Sequence, residues 1–422
     1  MKFFTRNSQT LQNRNSYFIM FLFFSTLIFQ TTGLKYIWSL LTISTFVNFS
    51  ILISLLLISF YVIQGTSFSV ATWKQYLIPA IMIFGGMAAN IIYYSLQNIK
   101  IITQLGNTLP WLYCLSVPYF IKKKAINIQQ LWKWYYYFFV IINLFSLLEY
   151  YSIYLGNLNF QYLETPYGPF LANKISWLYM MPDGLPHLRY YACFYEPGTL
   201  AMFLLPAISY AFFHRKYIGI LILLGVFYFT FSLGGMISLF LLALVIIFIS
   251  FAKSSKFLFV SIFITILMAL VGWFNLRDQF ITEYEEKGNS SEVREQSFVR
   301  TIENIPVMLL KYPFGIEQAE NTIELEKKEN YIPANFIVGY YINTGGFLAL
   351  IGYLVITLMT LIISIGAVLK GNLLKEEKVI FSSLIVLFPF IFQRSTIWES
   401  GLFALMYAPS LLQYLNKYKR IF

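Results

Sequence analysis

The stretch Glu196-Pro-Gly-Thr-Leu-Ala-Met-Phe-Leu-Leu-Pro-Ala-Ile-Ser-Tyr-Ala-Phe-Phe213-His214-Arg215-Lys216 decides the fold class. Residues 197–213 carry no charge, and three bases follow at once. About 20 apolar residues cross a bilayer as a helix, and Lys and Arg collect on the cytoplasmic side. The stretch therefore reads as a spanning helix that ends inside the cell.

The pattern repeats in both directions. Apolar runs occupy 17–33, 37–63, 76–97, 101–121, 134–155, 196–213, 217–232, 235–251, 257–275, 336–364, 379–393 and 400–415. Ser232-Leu-Gly-Gly235 supplies the turn signal that separates the seventh from the eighth. Basic clusters stand before the first run (Lys2, Arg6, Arg14) and after the fourth (Lys122, Lys123, Lys124, Lys133). Others follow the sixth (His214 to Lys216), the eighth (Lys253, Lys256), the tenth (Lys370, Lys375, Lys378) and the twelfth (Lys417, Lys419, Arg420). All fall on one side. The expectation is an all-α polytopic membrane protein, one integral domain over 1–422, with about twelve transmembrane helices and both termini cytoplasmic. The first run lacks a small-residue cleavage pattern and reads as a retained helix.

Composition agrees. The chain is 58% hydrophobic and 12% charged, with a mean hydropathy of +0.65. A soluble domain would carry about twice that charged fraction. Aromatic residues make up 20%, and lipid contact and packing account for most of them. Cys114 and Cys193 have no partners at metal-ligand spacing. No phosphate-binding Gly-rich loop, His-Glu-x-x-His or Cys/His cluster is present in the sequence, which argues against ATP, a nucleotide-activated donor and a metal.

Two large polar loops fall on the outer face, at about 156–195 and 276–335. The second holds 12 of the 19 acids and seven of the 30 bases, a net charge of −5. The remainder carries +16, which with −5 gives the net +11, so the basicity reports topology and not a nucleic-acid partner.

The first loop ends in His187-Leu-Arg189, Phe194-Tyr-Glu196 and Pro197-Gly198-Thr199. Its prolines and glycines predict compact turns. Pro197 suits the first helical position, and the free N–H groups near Gly198 and Thr199 favour an anion. Arg189 either adds a bidentate phosphate contact or pairs with Glu196 or lipid head groups. Glu196 is a helix cap, a general base toward a sugar hydroxyl, or both.

In the second loop Phe298, Ile302 and Ile305 fall at helical spacing and predict a short amphipathic helix on the membrane surface. Arg294 shares a face with Phe298, whereas Arg300 points away from it. For most of these charges the favoured reading is a solvated face with local Arg–Glu pairs. The turn Lys311-Tyr-Pro-Phe-Gly-Ile316 and a solvated acidic stretch, Glu317 to Glu329, follow.

The order of these segments resembles the superfamily of Wzy-type polysaccharide polymerases and O-antigen ligases. The resemblance rests on Arg189 with Phe194-Tyr-Glu-Pro-Gly-Thr199 and on Thr230-Phe-Ser232-Leu-Gly, in which Leu233 stands where the family has Arg. It continues through Arg294 and Arg300, Tyr312-Pro-Phe-Gly-Ile316, Ala334-Asn335-Phe336 and Gly345-Gly346-Phe347, and covers about 186 to 415.

The resemblance implies a GT-C-like glycosyltransferase architecture in the bacterial inner membrane. It implies metal-independent transfer of a glycan from undecaprenyl pyrophosphate, on the outer face, with no cofactor. Arg189, Arg294, Arg300, Gly198, Thr199 and Asn335 would hold the donor. Glu196 would be the first choice of base and His187 the second. Ligases of the family have His immediately before the Asn; Ala334 here favours a polymerase of O-antigen, capsule or a similar polysaccharide over a ligase. Partners implied are the lipid-linked donor and acceptor, membrane lipids, a chain-length regulator and a flippase. A flippase-like transporter is the reading from another class. It should show related halves and mid-span charges, and such charges are nearly absent.

Overall fold

The computed structural model describes Phe21, Phe24 and residues 74–95, 127–155, 161–165, 168–172, 177–179, 189–194, 197–230 and 232–251. It also describes Phe263, Ile266 and residues 299–300, 302–308, 310–316, 337–371, 373–393, 406–407 and 410. Apart from the single positions named, the expected spans 17–33, 37–63, 101–121, 257–275 and 400–415 lie outside this set, as does the acidic stretch 317–329.

The described chain is mostly helical. Helices α1 (Lys74–Ser95), α2 (Ile128–Tyr154), α3 (Pro197–Phe213), α4 (Tyr217–Phe229), α5 (Leu233–Phe251), α6 (Ile337–Lys370) and α7 (Lys375–Gln393) correspond to seven of the expected runs. Segments Ile128–Ser152, Gly234–Phe251 and Val338–Lys370 are long and apolar enough to cross a membrane. Ile78–Tyr93, Pro197–Phe213 and Tyr217–Phe229 are shorter apolar helices. The chain is on this basis a helical membrane protein.

Several boundaries have visible causes. Helix α2 begins six residues earlier than hydrophobicity alone implies, because Asn127 caps it: its side-chain oxygen accepts from the Gln130 N–H at 3.2 Å. Lys133 is consequently an exposed helical residue. Helix α7 starts at Lys375, and in its first turn the Glu377 carboxylate accepts from the Leu374 N–H at 2.9 Å, half of a capping box. Helix α3 closes with Lys216 N–H to Ala211 carbonyl, 2.8 Å, and Arg215 N–H to Phe212 carbonyl, 3.1 Å. This is the Schellman arrangement, with Arg215 at φ 56° in the place usually taken by glycine.

The relative directions of the helices follow from their contacts. Tyr136 stacks on Tyr210 at 5.2 Å and Phe139 on Phe203 at 6.3 Å, so α2 and α3 run antiparallel. Ser209 and Ser382 share a hydrogen bond of 2.7 Å, and His214 lies 3.7 Å from Glu376, so α3 and α7 are antiparallel. Gly86 faces Gly345 and Pro79 faces Gly352 across α1 and α6, again antiparallel. Tyr136 beside Gly219 and Tyr150 beside Phe229 make α2 and α4 parallel. Gly235 against Ala201 makes α3 and α5 parallel. The directions are those an alternating series of spans requires. The basic turns after α3 and α6 lie at the same end, joined through His214 and Glu376.

The core is aromatic. Phe139, Phe194 and Phe203 form a packed trio with centroids 5.4 to 6.3 Å apart. Buried Trp132 packs on Tyr407 and donates to the Ser410 hydroxyl at 2.9 Å. Phe24 packs edge-on against Trp134 and Phe138 of α2. Pro206 interrupts the α3 ladder, and in the same turn the Tyr135 hydroxyl donates to the Phe203 carbonyl at 2.7 Å.

The all-α expectation needs one correction. The first loop, expected to be turns, contains a four-stranded antiparallel sheet in sequential order. Its strands are β1 (Gln161–Thr165), β2 (Gly168–Ala172), β3 (Trp177–Tyr179) and β4 (Arg189–Tyr190). Thr165 pairs with Gly168, leaving two residues for the first hairpin. Pro169 hid the second strand from view. It is tolerated because β3 pairs only with Leu171 and Ala172, so Pro169 lies beyond the reach of β3.

Candidate functional site

Two places gather the segments singled out in the sequence. The first lies between β4 and α3. Tyr190 is fully buried, and its hydroxyl donates to the Asn143 side-chain oxygen on α2 at 3.0 Å. Asn143 in turn donates to the Phe139 carbonyl at 2.7 Å. Burial holds the Tyr190 phenol well above its ordinary range, with a hydrogen bond to Ser146 opposing. The chain then turns: Ala192 adopts φ 48° and the Phe194 N–H bonds the Tyr191 carbonyl at 2.9 Å. Burial pushes the Cys193 thiol up to about 12. It is a free, buried thiol and a poor nucleophile.

Helix α3 begins at Pro197, the position where proline loses nothing. Gly198 and Thr199 are buried in its first turn. Beside them starts α5. Ser232 is its N-cap, accepting from the Gly235 N–H at 3.2 Å. The turn is therefore Thr230 to Ser232, and Leu233-Gly-Gly235 belongs to the helix. The Thr230 hydroxyl closes α4 on the Phe227 carbonyl at 2.7 Å. A side chain at Gly235 would strike Ala201 of α3, with its Cβ 2.8 Å from the Ala201 Cβ. Two parallel helix N-termini thus sit side by side, and their dipoles add toward the same end.

The second place is the turn Tyr312-Pro-Phe-Gly-Ile316. Helix α6 breaks at Gly346, where φ is 61° and ψ −149°. The freed Phe347 N–H donates to the Pro313 carbonyl at 3.1 Å, and the Ile316 N–H donates to the Asn343 carbonyl at 2.9 Å. Asn90 of α1 donates to the Phe314 carbonyl at 2.8 Å and approaches the Ile316 carbonyl at 3.3 Å. Gly315, at φ 91°, lies directly against the Asn343 carbonyl. The turn is clamped into the break between α1 and α6.

Of the residues expected to act, Gly198 and Thr199 fall in the paired helix starts. Arg189 is in β4, paired with Tyr179. Arg300 is exposed on a helical stretch that precedes the clamp. Glu196, His187, Arg294 and Asn335 lie outside the described residues. Asn90, Asn143, Tyr190 and the capping role of Ser232 were not foreseen. For the two asparagines a signal existed: a single amide within a strongly apolar run marks a polar task inside the bundle. Among the described residues, no three His, Cys, Asp or Glu side chains gather as a metal site.

No family model matches the chain, and neither a curated protein nor a solved structure is found to be similar to it.

Proposed function

We propose that this protein is a polymerase. It joins undecaprenyl-pyrophosphate-linked oligosaccharide repeat units into O-antigen, capsular or a similar polysaccharide, on the outer face of a bacterial inner membrane. In this reading the chain has about twelve spans, both termini cytoplasmic, and a GT-C-like arrangement. One observation carries it. Stretches far apart in sequence that resemble the motifs of one superfamily are neighbours in space. Gly235 of the Ser232-Leu-Gly-Gly235 stretch abuts Ala201, in the first turns of the helix that begins Pro197-Gly198-Thr199, and Tyr312-Pro-Phe-Gly-Ile316 is bonded to Phe347 just past Gly345-Gly346.

The chemistry needs no metal. The acceptor hydroxyl oxygen bonds to the anomeric carbon of the donor, and the bond from that carbon to the pyrophosphate oxygen breaks. Undecaprenyl pyrophosphate leaves with the electron pair, and the hydroxyl proton passes to Glu196 or, as second choice, His187. Arg189, with Arg294 or Arg300, offsets the charge growing on the leaving group. The helix starts at Gly198 and Leu233 add partial positive charge at the same end.

Purified protein with lipid-linked repeat units and a chelator should form a ladder of products. The Arg189→Ala variant should form none while remaining in the membrane at normal levels. Normal long polymer from that variant removes the pyrophosphate role, and strict dependence on a divalent metal removes the mechanism. A deletion strain separates the alternatives. Polymerase loss leaves a single repeat on the acceptor, ligase loss leaves long chains on the carrier, and flippase loss traps single units on the inner leaflet.

A further inference from the structure

The helical stretch at 299–311, just before the clamp, has three faces where the sequence pattern implied two. Met308 forms a buried cluster with Ile316 and with Ile342 and Leu350 of α6, and Ile305, Tyr312, Val338 and Leu354 pack against it. Met308 is only 2% exposed. Ile302, expected on the same side as Ile305, is instead 53% exposed. At 100° per residue Ile302 shares its face with Val299, Pro306 and Leu310. Leu310 is 87% exposed, higher than any other large apolar side chain described. Arg300, Glu303 and Lys311, all exposed, stand with the exposed Val307 on the flank between the two apolar faces.

This exposed apolar face does not stand alone. Phe314, at the tip of the clamped turn, packs on Tyr93 of α1 at 5.6 Å. Tyr93 and Ile92 are exposed near the end of α1, and Phe347 and Leu348 are exposed just past the break in α6. The face is thus continuous with the outward flanks of two apolar helices that the bilayer must cover. A charged flank beside it is the pattern of a helix lying at the boundary of head groups and acyl chains.

We infer that residues 299–314 form an interfacial helix and turn whose Ile302–Leu310 face is seated in the phospholipid leaflet next to α1 and α6. Its depth is fixed by the Pro313–Phe347 and Ile316–Asn343 bonds. The occupant is acyl chain, with Arg300 and Lys311 at the level of the phosphates. The inference concerns a lipid-binding surface and does not rest on glycosyl transfer.

The test uses the full chain in nanodiscs of phosphatidylethanolamine and phosphatidylglycerol. Spin labels are attached through Ile302→Cys, Glu303→Cys, Met308→Cys and Leu310→Cys, each in a Cys114→Ser, Cys193→Ala background. Labels at 302 and 310 should collide with oxygen, and be shielded from a water-soluble nickel chelate, several-fold more than the label at 303. The label at 308 should be closed to both. If 302 and 310 are as open to nickel as 303, the face lies in water and the inference fails. If they are closed to both reagents, protein covers the face, and the inference fails in favour of a second copy or another segment.

Discussion

The two motif regions are held by opposite means. The Tyr190–Thr199 segment is fixed by side chains: an aromatic trio, the Tyr190–Asn143 bond and, alongside, the Ser232 cap. The Tyr312–Ile316 turn is fixed chiefly by main chain on main chain, with Asn90 as its one described side-chain donor and with Gly315 and Gly346 present because no Cβ fits. The first region should therefore yield to changes in chemistry, and the second to changes in backbone freedom.

The largest contrast should appear in thiol chemistry. With its thiol pushed up to about 12, Cys193 has almost no thiolate at pH 8. Its alkylation should be slower than that of an unfolded-chain thiol by about a thousandfold. The sign for stability follows. The raised group favours folding below the ordinary thiol range, and that contribution is lost as pH climbs from there toward 12. Timed alkylation read by mass spectrometry checks this. Rapid labelling of Cys193 in the folded protein would show that the first region is open, not packed.

Next comes the glycine at the break. Gly346 occupies φ 61° and ψ −149°, a combination open essentially to glycine alone. A methyl group there would also collide with the Pro313 carbonyl. Gly346→Ala should cost about 3 kcal/mol or more, seen as a lower unfolding midpoint in detergent. The clamp should loosen with it, so the bond between Lys311 and Tyr312 should become a site of tryptic cleavage. A variant with an unchanged midpoint would mean that the turn is not held through backbone.

How much of this could be read in advance varied by region for physical reasons. Helix positions and the relative directions of the seven helices follow from apolar length and basic clusters, because the bilayer forces one solution. The helix start at Pro197 was legible because proline has one favoured place there. The sheet at 161–190 was not, because strands of two to five residues with Gly168-Pro169 inside them look like turns. The faces of the 299–311 helix were misassigned because periodicity reports that two sides differ but not that lipid and protein each claim an apolar one. The clamp is invisible as a contact in the sequence: Tyr312-Pro-Phe-Gly-Ile316 and Gly345-Gly346 are about 30 residues apart, and Gly86, Asn90 and Tyr93 of α1 meet them only in three dimensions.

Asn90 tests whether the clamp also depends on a side chain. It is buried, and its amide serves the Phe314 and Ile316 carbonyls. Asn90→Leu removes both bonds and leaves two carbonyls near an apolar group. The expected cost is about 1–3 kcal/mol, less than that of Gly346→Ala. If Asn90→Leu proves the more damaging of the two, the backbone account of this region is reversed.

The smallest effect isolates the cap in the first region. Ser232 accepts one N–H at the start of α5, and Gly235 three residues on must remain small to pass Ala201. Ser232→Ala leaves the first turn without its acceptor and should cost about 1 kcal/mol. Ser232→Gly should cost only a few tenths, because backbone at that position is more easily solvated or relaxed without a Cβ. The pair separates capping from packing. Were Ser232 a packing residue, glycine would be the worse replacement, since it removes more volume. Unfolding midpoints of both variants in one detergent decide between the two. In the capping account alanine lies below glycine, and the N-terminal end of α5 should then exchange its amide hydrogens faster in Ser232→Ala than in the parent. That exchange pattern ties the cap to the paired helix starts, because Gly235 and Ala201 can stay in contact only while the first turn of α5 stays wound.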